Sequence, residues 1–264
     1  MSAESPKTLA GKVALVTGSS RGIGAAIALR LAQDGADVVI NYVSSESAAQ
    51  NVAAEVRNLG VRAIVIKADV SKADEIATMF ANAKEALGRI DIVMSNSGIE
   101  HFGSLESVTE DEFDRVFAVN VRGQFLVAQQ THKYIEEGGR LFLIGSVSAN
   151  WGLKGHAVYA SSKAAIQGMV KCLAWDFADK KVTVNLISPG GVQTDMAAEN
   201  AKHYIPGSDK MTHDEVVAKV GAASPFNRMG KTDDIANIVA RLSSPDSAWM
   251  TGQTIHCNGG VFMV

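Results

Sequence analysis

Cysteine is nearly absent. Cys172 and Cys257 are the two in 264 residues, and no CxxC pair or ligand-spaced His accompanies them, which excludes a disulfide framework and a structural zinc site. Two reduced thiols and no metal are expected. Proline is scarce too, at five residues, and no Pro/Gly/Ser linker, repeat or low-complexity tract divides the chain, so one domain is expected rather than two. No run of eighteen apolar residues occurs, and the opening MSAESPKTLAG has no signal-peptide core. A soluble, cytoplasmic protein without membrane contact follows as the expectation. Basic charge is also lacking: the net charge is −3 and the Lys and Arg residues are scattered, which argues against a nucleic-acid surface.

What the chain does have is apolar residues, 47% of the total, enough to bury one large core. They fall into short runs at 13–17, 37–41, 63–67, 91–95, 140–144, 183–188 and 253–256, which read as seven strands. Runs such as DIVMS and RLFLI are continuous rather than alternating, as in strands covered on both faces. The stretches between them carry helical periodicity and end in glycines such as Gly60 and Gly88. This alternation predicts an α/β fold: a single-domain Rossmann architecture, a doubly wound seven-stranded parallel sheet with helices on both faces. Residues 1–9 read as a flexible tail and 10–264 as the dinucleotide-binding and catalytic domain. Residues 195–225 break the rhythm. They read either as an ordinary helical connection or as a substrate lid, and their position after a strand's carboxyl end favours the lid.

TGSSRGIG at 17–24 stands between the first strand and a helix, within about 35 residues of βαβ pattern. Gly18 would permit the tight turn, Gly22 the approach of a pyrophosphate, and Gly24 close packing of helix on strand, with the helix N-terminus favouring phosphate charge. A dinucleotide is the natural ligand. Further along, Tyr159 and Lys163 are four residues apart in VYASSKAAIQG, and Ser146 precedes the tyrosine by thirteen. On a helix, positions i and i+4 share a face, so phenol and ammonium can reach one spot.

TGSSRGIG, SNSG at 95–98, Asn120 in FAVN, Ser146, YASSK at 159–163 and PGGVQT at 189–194 together resemble the short-chain dehydrogenase/reductase family, in family order, from Leu9 to Gly260. NSG at 96–98, RVFAVNVRGQF, SPGGVQTDM and HYIPG at 203–207 are similar to the fungal polyhydroxynaphthalene reductase group within it. The resemblance implies that Asn120, Ser146, Tyr159 and Lys163 are catalytic, with a kinked backbone at Asn120 and a water linking it to Lys163. It implies cofactor contacts from Ser20 and Ile23 in the glycine loop, from Asp69 and Val70 at the adenine, from Asn96 and Gly98, and from Pro189, Gly190, Val192 and Thr194 at the nicotinamide carboxamide. It further implies a homotetramer, or a dimer, built through helices at 112–135 and 158–178, with GGVFMV at the C-terminus as a second interface. Two departures stand out: Asn258 replaces the family's usual Asp, and VSANWGLKGHA at 147–157 differs from the naphthol reductases.

The chemistry follows from residue types. Hydride addition to a ketone leaves charge on oxygen, and Tyr159 can hydrogen-bond that oxygen and deliver a proton. An unperturbed phenol has a pKa near ~10, and the Lys163 ammonium with an oxidised nicotinamide should lower it, while Lys163 also holds the ribose hydroxyls. Ser146 would fix the carbonyl, with Ser148 as the alternative serine. At the end of the second strand Asn41, Tyr42, Ser44 and Ser45 stand where an NAD enzyme would place a carboxylate, and Arg21 could pair with a 2′-phosphate, so NADPH is expected over NADH. Trp151, Gly191 and Tyr204 are candidate substrate contacts, with Met263 and His156 as weaker ones; neutral packing is the plainer role for His156. The expected function is an NADPH-dependent carbonyl reductase acting on a hydrophobic, aromatic or polycyclic ketone. The alternatives are a 3-oxoacyl carrier-protein reductase, which would favour a basic docking patch, and a non-catalytic NADP(H)-binding sensor, which should have lost a catalytic side chain.

Overall fold

The short apolar runs become seven strands in a computed structural model of the chain, which describes residues 7–205 and 207–263. They are β1 (Val13–Val16), β2 (Asp37–Tyr42), β3 (Ala63–Lys67), β4 (Ile92–Ser95), β5 (Arg140–Ile144), β6 (Thr183–Pro189) and β7 (Thr254–Cys257). Every pairing is parallel and the order is β3-β2-β1-β4-β5-β6-β7. The doubly wound α/β reading holds. Alternate residues of β1 serve two cores, Ala14 and Val16 on one face, Val13 and Leu15 on the other, which is why the strand reads as an unbroken apolar run.

Helices α1 (Gly22–Gln33), α2 (Glu46–Asn58) and α9 (Thr232–Ser243) cover the first face, burying Ile27, Leu31, Val52, Ile235 and Val239. The second is covered by α3 (Ala73–Leu87), α5 (Gly123–Tyr134) and α6 (Ala157–Asp176), through Phe80, Val127, Ile166 and Val170. Two further helices, α7 (Asp195–Tyr204) and α8 (His213–Gly221), occupy the stretch after β6 that breaks the sequence rhythm; Pro206 of HYIPG lies outside the described residues.

Three of the differences from the sequence reading have a local reason. Asp91 precedes β4 instead of opening it, because its buried carboxylate accepts from Val13 N at 3.0 Å and pairs with Lys12 and Arg89. Leu9 is not tail: it is 2% exposed and its N–H donates to the Asp34 carbonyl, while residues 1–6 lie outside the described residues. The helix expected at 112–135 is divided into α4 (Glu110–Phe117), a π-helical turn at Ala118–Arg122 where the resemblance implied a kink at Asn120, and α5. There the Asn120 carbonyl accepts from Gln124 Nε2 at 3.0 Å, a side chain that also bonds the Ile144 backbone. Both cysteines are free, and among the described residues no helix is long and apolar enough to cross a membrane.

The strand order reverses at the β1–β4 pair, so the connections leave these strands in opposite directions and open a crevice at their carboxyl ends. Gly18 and Gly22 turn the chain there with φ of +60° and +58°, conformations that disfavour a side chain. Gly24 answers a different constraint. A Cβ at that position would lie 2.4 Å from the Gly18 carbonyl oxygen and 2.6 Å from Asn96 Nδ2. We expect Gly24→Ala to lower stability by about 1–3 kcal/mol through overpacking, read as a reduced urea midpoint; an unchanged midpoint would show that helix and strand can separate freely.

Candidate active site

A cleft of about 1330 Å³ runs along the carboxyl ends of β1, β4, β5 and β6. Every expected cofactor contact lines it except Asn41 and Ser45. On its glycine side, α1 begins without a side-chain cap and without an acidic residue in its first turn, which leaves its N–H groups and the positive end of its dipole free for an anion. Across the cleft, a Cβ on Gly98 would come within 3.2 Å of Lys163 Nζ and 3.3 Å of Asn120 Oδ1. A phosphate-bearing ligand fits this bare, glycine-lined cradle.

Asn41 belongs behind the cradle. Fully buried, it accepts from Gly18 N at 3.0 Å through Oδ1 and donates to the Ala68 carbonyl at 3.0 Å, so its amide is used up in holding the glycine turn. Ser45 is the exposed N-cap position of α2, outside the cleft wall. Tyr42 and Ser44 remain at the cleft with Val43, which the sequence reading omitted. Asn96 braces the same turn from the other side, donating to the Thr17 and Gly18 carbonyls at 3.1 and 3.2 Å. Arg21 is exposed at the cleft rim, 3.7 Å from Asp195 of α7. The Thr194 hydroxyl caps α7 by accepting from Ala197 N at 3.2 Å, and Asp69 Oδ1 accepts from Ser71 N at 2.8 Å.

Ser146, Tyr159 and Lys163 meet at the opposite wall. Ser146 follows β5 and accepts from Ser148 N at 3.1 Å. Tyr159 and Lys163 project from the first turns of α6 and are both buried. Lys163 Nζ donates to the Ile144 carbonyl at 3.2 Å and stands 5.6 Å from the centre of the Tyr159 ring. Asn120 packs behind them: Oδ1 accepts from Ile99 N, while Nδ2 donates to the Ile99 carbonyl and Ser162 Oγ.

Burial works against the lowering expected of Lys163 and an oxidised nicotinamide. Burial, helped by the charge of Glu100, raises the Tyr159 phenol above its usual value, with the neighbouring Ser146 hydroxyl pulling the other way. Burial also lowers the Lys163 ammonium, to about 8, against the opposing influence of Glu100. Lys163 therefore does not dominate its neighbour. Loss of water favours the neutral form of both groups.

A cluster beside Tyr159 has no counterpart among the sequence candidates apart from Tyr204 and His156. Phe102, on the loop after β4, is stacked between His156 at 4.2 Å and His203 at 4.3 Å between ring centres, with Tyr204 edge-on at 5.2 Å. The Tyr204 hydroxyl donates to Glu100 Oε1. Glu100 and Tyr204 line the cleft, as do Trp151 and Gly191; His156 and Met263 do not. The available signal was an acidic residue two positions after SNSG, between Ile99 and His101.

Residues 18–262 match the family model described as enoyl-(acyl carrier protein) reductase. The chain belongs to the short-chain dehydrogenase/reductase family. This short-chain dehydrogenase/reductase is 49% identical over 261 residues to the hydroxynaphthalene reductase-like protein Arp2 of Metarhizium anisopliae, covering 98% of each chain. It is 46% identical over 256 residues to a protein of Zymoseptoria tritici named probable tetrahydroxynaphthalene reductase, covering 97% of this chain and 96% of that one. Among solved structures, a short-chain dehydrogenase from Burkholderia cenocepacia in complex with NADP superposes with a TM-score of 0.86 at 38% identity, over 96% of this chain and 99% of that chain. Family membership makes the chain an oxidoreductase acting on the CH–OH/C=O pair.

His156 supplies a test of the cluster that is independent of turnover. Burial pushes its imidazole down to about 4, so the folded protein holds it neutral while the unfolded chain takes up a proton below its ordinary value near ~6.5. The unfolded state binds more protons across that window, and stability should fall by roughly 3 kcal/mol as pH drops from about 6.5 to about 4. Urea midpoints across this range should decline less steeply for His156→Gln than for the parent, and parallel profiles would reject the assignment.

Proposed function

We propose that the protein is an NADPH-dependent carbonyl reductase acting on a hydrophobic aromatic or polycyclic ketone. The observation that carries this reading is the meeting of Ser146, Tyr159 and Lys163 across one cleft from the glycine cradle. When bound, the reduced nicotinamide supplies the hydride to the carbonyl carbon. Tyr159 supplies the proton to the carbonyl oxygen, and its raised pKa keeps the phenol protonated until that oxygen becomes basic. Ser146 holds the same oxygen, and Lys163, still largely cationic near neutral pH, faces the phenolate left behind. Asn120 positions the loop after β4 through its two bonds to Ile99.

Preference for NADPH is supported by the lack of a carboxylate at the end of β2 and by Arg21 at the rim, where a 2′-phosphate could replace its long-range pairing with Asp195. The NADP-bound relative from Burkholderia cenocepacia agrees with this choice. The hydroxynaphthalene reductase names of the relatives support an aromatic ketone, as does Trp151 in the cleft wall. Helices α7 and α8 form the lid over the cleft, and we assign a homotetramer, since α5 and α6 leave Phe125 and Trp175 48% and 85% exposed.

NADPH oxidation should be followed against polyhydroxynaphthalenes, quinones, steroid ketones, simple diketones and acyl thioesters. Tyr159→Phe should lower kcat by at least about 10²-fold on any accepted ketone, the usual scale of general-acid catalysis; retained activity would remove Tyr159 as donor, and turnover of thioesters alone would replace the substrate class. Arg21→Ala should raise the KM for NADPH about ten-fold while leaving that for NADH nearly unchanged, and equal changes would reject the 2′-phosphate contact.

A further inference from the structure

We propose that Glu100 is a specificity-determining residue whose carboxylate, presented in the cleft near Tyr159, selects ketones that carry a hydroxyl group in addition to the reacting carbonyl. The inference rests on the reductase reading and adds the feature by which one ketone is distinguished from another.

Glu100 lies on the loop after β4, in the cleft wall, with its side chain 8% exposed. An ionised carboxylate offers about four acceptor sites, yet the protein fills few of them. Tyr204 donates to Oε1. His156 Nε2 is 3.8 Å from the same oxygen, beyond hydrogen-bonding distance. Its ring, held neutral, faces the His101 carbonyl through Nδ1 at 3.0 Å, so Nδ1 must carry the proton and Nε2 is itself an acceptor. It offers Glu100 nothing. Lys163 directs its Nζ at the Ile144 carbonyl. Among the described residues no donor reaches Glu100 Oε2.

A carboxylate so enclosed keeps its charge tolerable only through water in the cleft or through a ligand that donates to it. A wholly apolar ketone would expel that water and leave Oε2 bare, whereas a ligand hydroxyl would take its place. A site holding a buried acceptor in this way discriminates strongly against an analogue that lacks the donor. Burial raises the Glu100 carboxyl above its ordinary value, opposed by the Tyr204 hydroxyl and the Lys163 charge, so a ligand donor would favour the charged form, and a neutral hydroxyl supplies one without the repulsion that an ammonium would meet from Lys163.

The test uses a bicyclic aryl ketone bearing one ring hydroxyl, its methyl ether and its deoxy parent, with the parent protein, Glu100→Gln and Glu100→Val. Two readouts are taken: kcat/KM with NADPH, and equilibrium binding of each ketone by tryptophan fluorescence without turnover. The parent protein should favour the hydroxy-ketone over the methyl ether by at least about ten-fold, the value of one modest hydrogen bond. Glu100→Val should bring that ratio within about two-fold by improving the ether and the deoxy parent, and Glu100→Gln, which keeps an acceptor oxygen, should fall between. A Glu100→Val ratio equal to the parent's, or equal losses on all three ketones, overturns the proposal. If the parent protein reduces none of the three, the reductase reading is what fails, and the binding ratios still decide for or against Glu100.

Discussion

The first turn of α1 lies against the carboxyl ends of β1 and β4, and the cleft exists because that contact is between backbones. Gly24 admits the Gly18 carbonyl where any side chain would collide with it. Asn96 ties both strands together by donating to the Thr17 and Gly18 carbonyls, and the Thr17 hydroxyl accepts from Asn96 N and Ser97 N. Asn41 secures the third strand by accepting from Gly18 N. Three adjacent strands thus converge on one turn. Because the connections diverge between β1 and β4, a crevice opens beyond that turn, and the groups at the ends of β5 and β6 face it.

Across the crevice, water exclusion is the largest influence on the protonation of Tyr159 and Lys163. Desolvation acts on acid and base with opposite signs: it raises the Tyr159 phenol and lowers the Lys163 ammonium, leaving both nearer their neutral forms. A charge-only argument, in which the lysine acidifies the tyrosine, omits this and omits Glu100, whose negative charge opposes phenolate formation. The result suits the reduction proposed above, in which the phenol would hold its proton until oxygen demands it. The role proposed for Lys163 does not depend on acidifying the phenol, since a largely cationic group 5.6 Å from the ring would face any charge formed there.

The fold was legible because its signals are local. Each strand is a short apolar run, and the glycines of the first turn stand where φ or close approach demands them. Tyr159 and Lys163 could be paired from helical spacing alone. Other features depended on contacts distant in the chain. The π-helical turn at Asn120 answers to Ile99, Ile144 and Ser162; helical periodicity does not mark it, and only the family resemblance implied a kink there. Asn41 sits at a strand end, where either a ligand contact or a turn brace is reasonable, and only the position of the Gly18 amide decides. Glu100 was missed because an isolated acidic residue is ordinarily solvated, and its burial needs Tyr204, 104 residues away.

That distant contact also explains why the site and the α7 segment form one unit. Phe102 contacts His156 just ahead of α6, His203 near the end of α7, and the edge of Tyr204. His156 in turn packs on Tyr159 at 4.6 Å between ring centres. Moving α7 away would unstack His203 and withdraw the Tyr204 hydroxyl from Glu100 together, since both residues belong to one helical turn. Glu100 would then meet water, and its influence on Tyr159 would weaken as the local dielectric rises. Under the proposed lid role, covering a ligand and setting the phenol's proton affinity would be consequences of the same docking of α7, with Phe102 as the ring on which both depend.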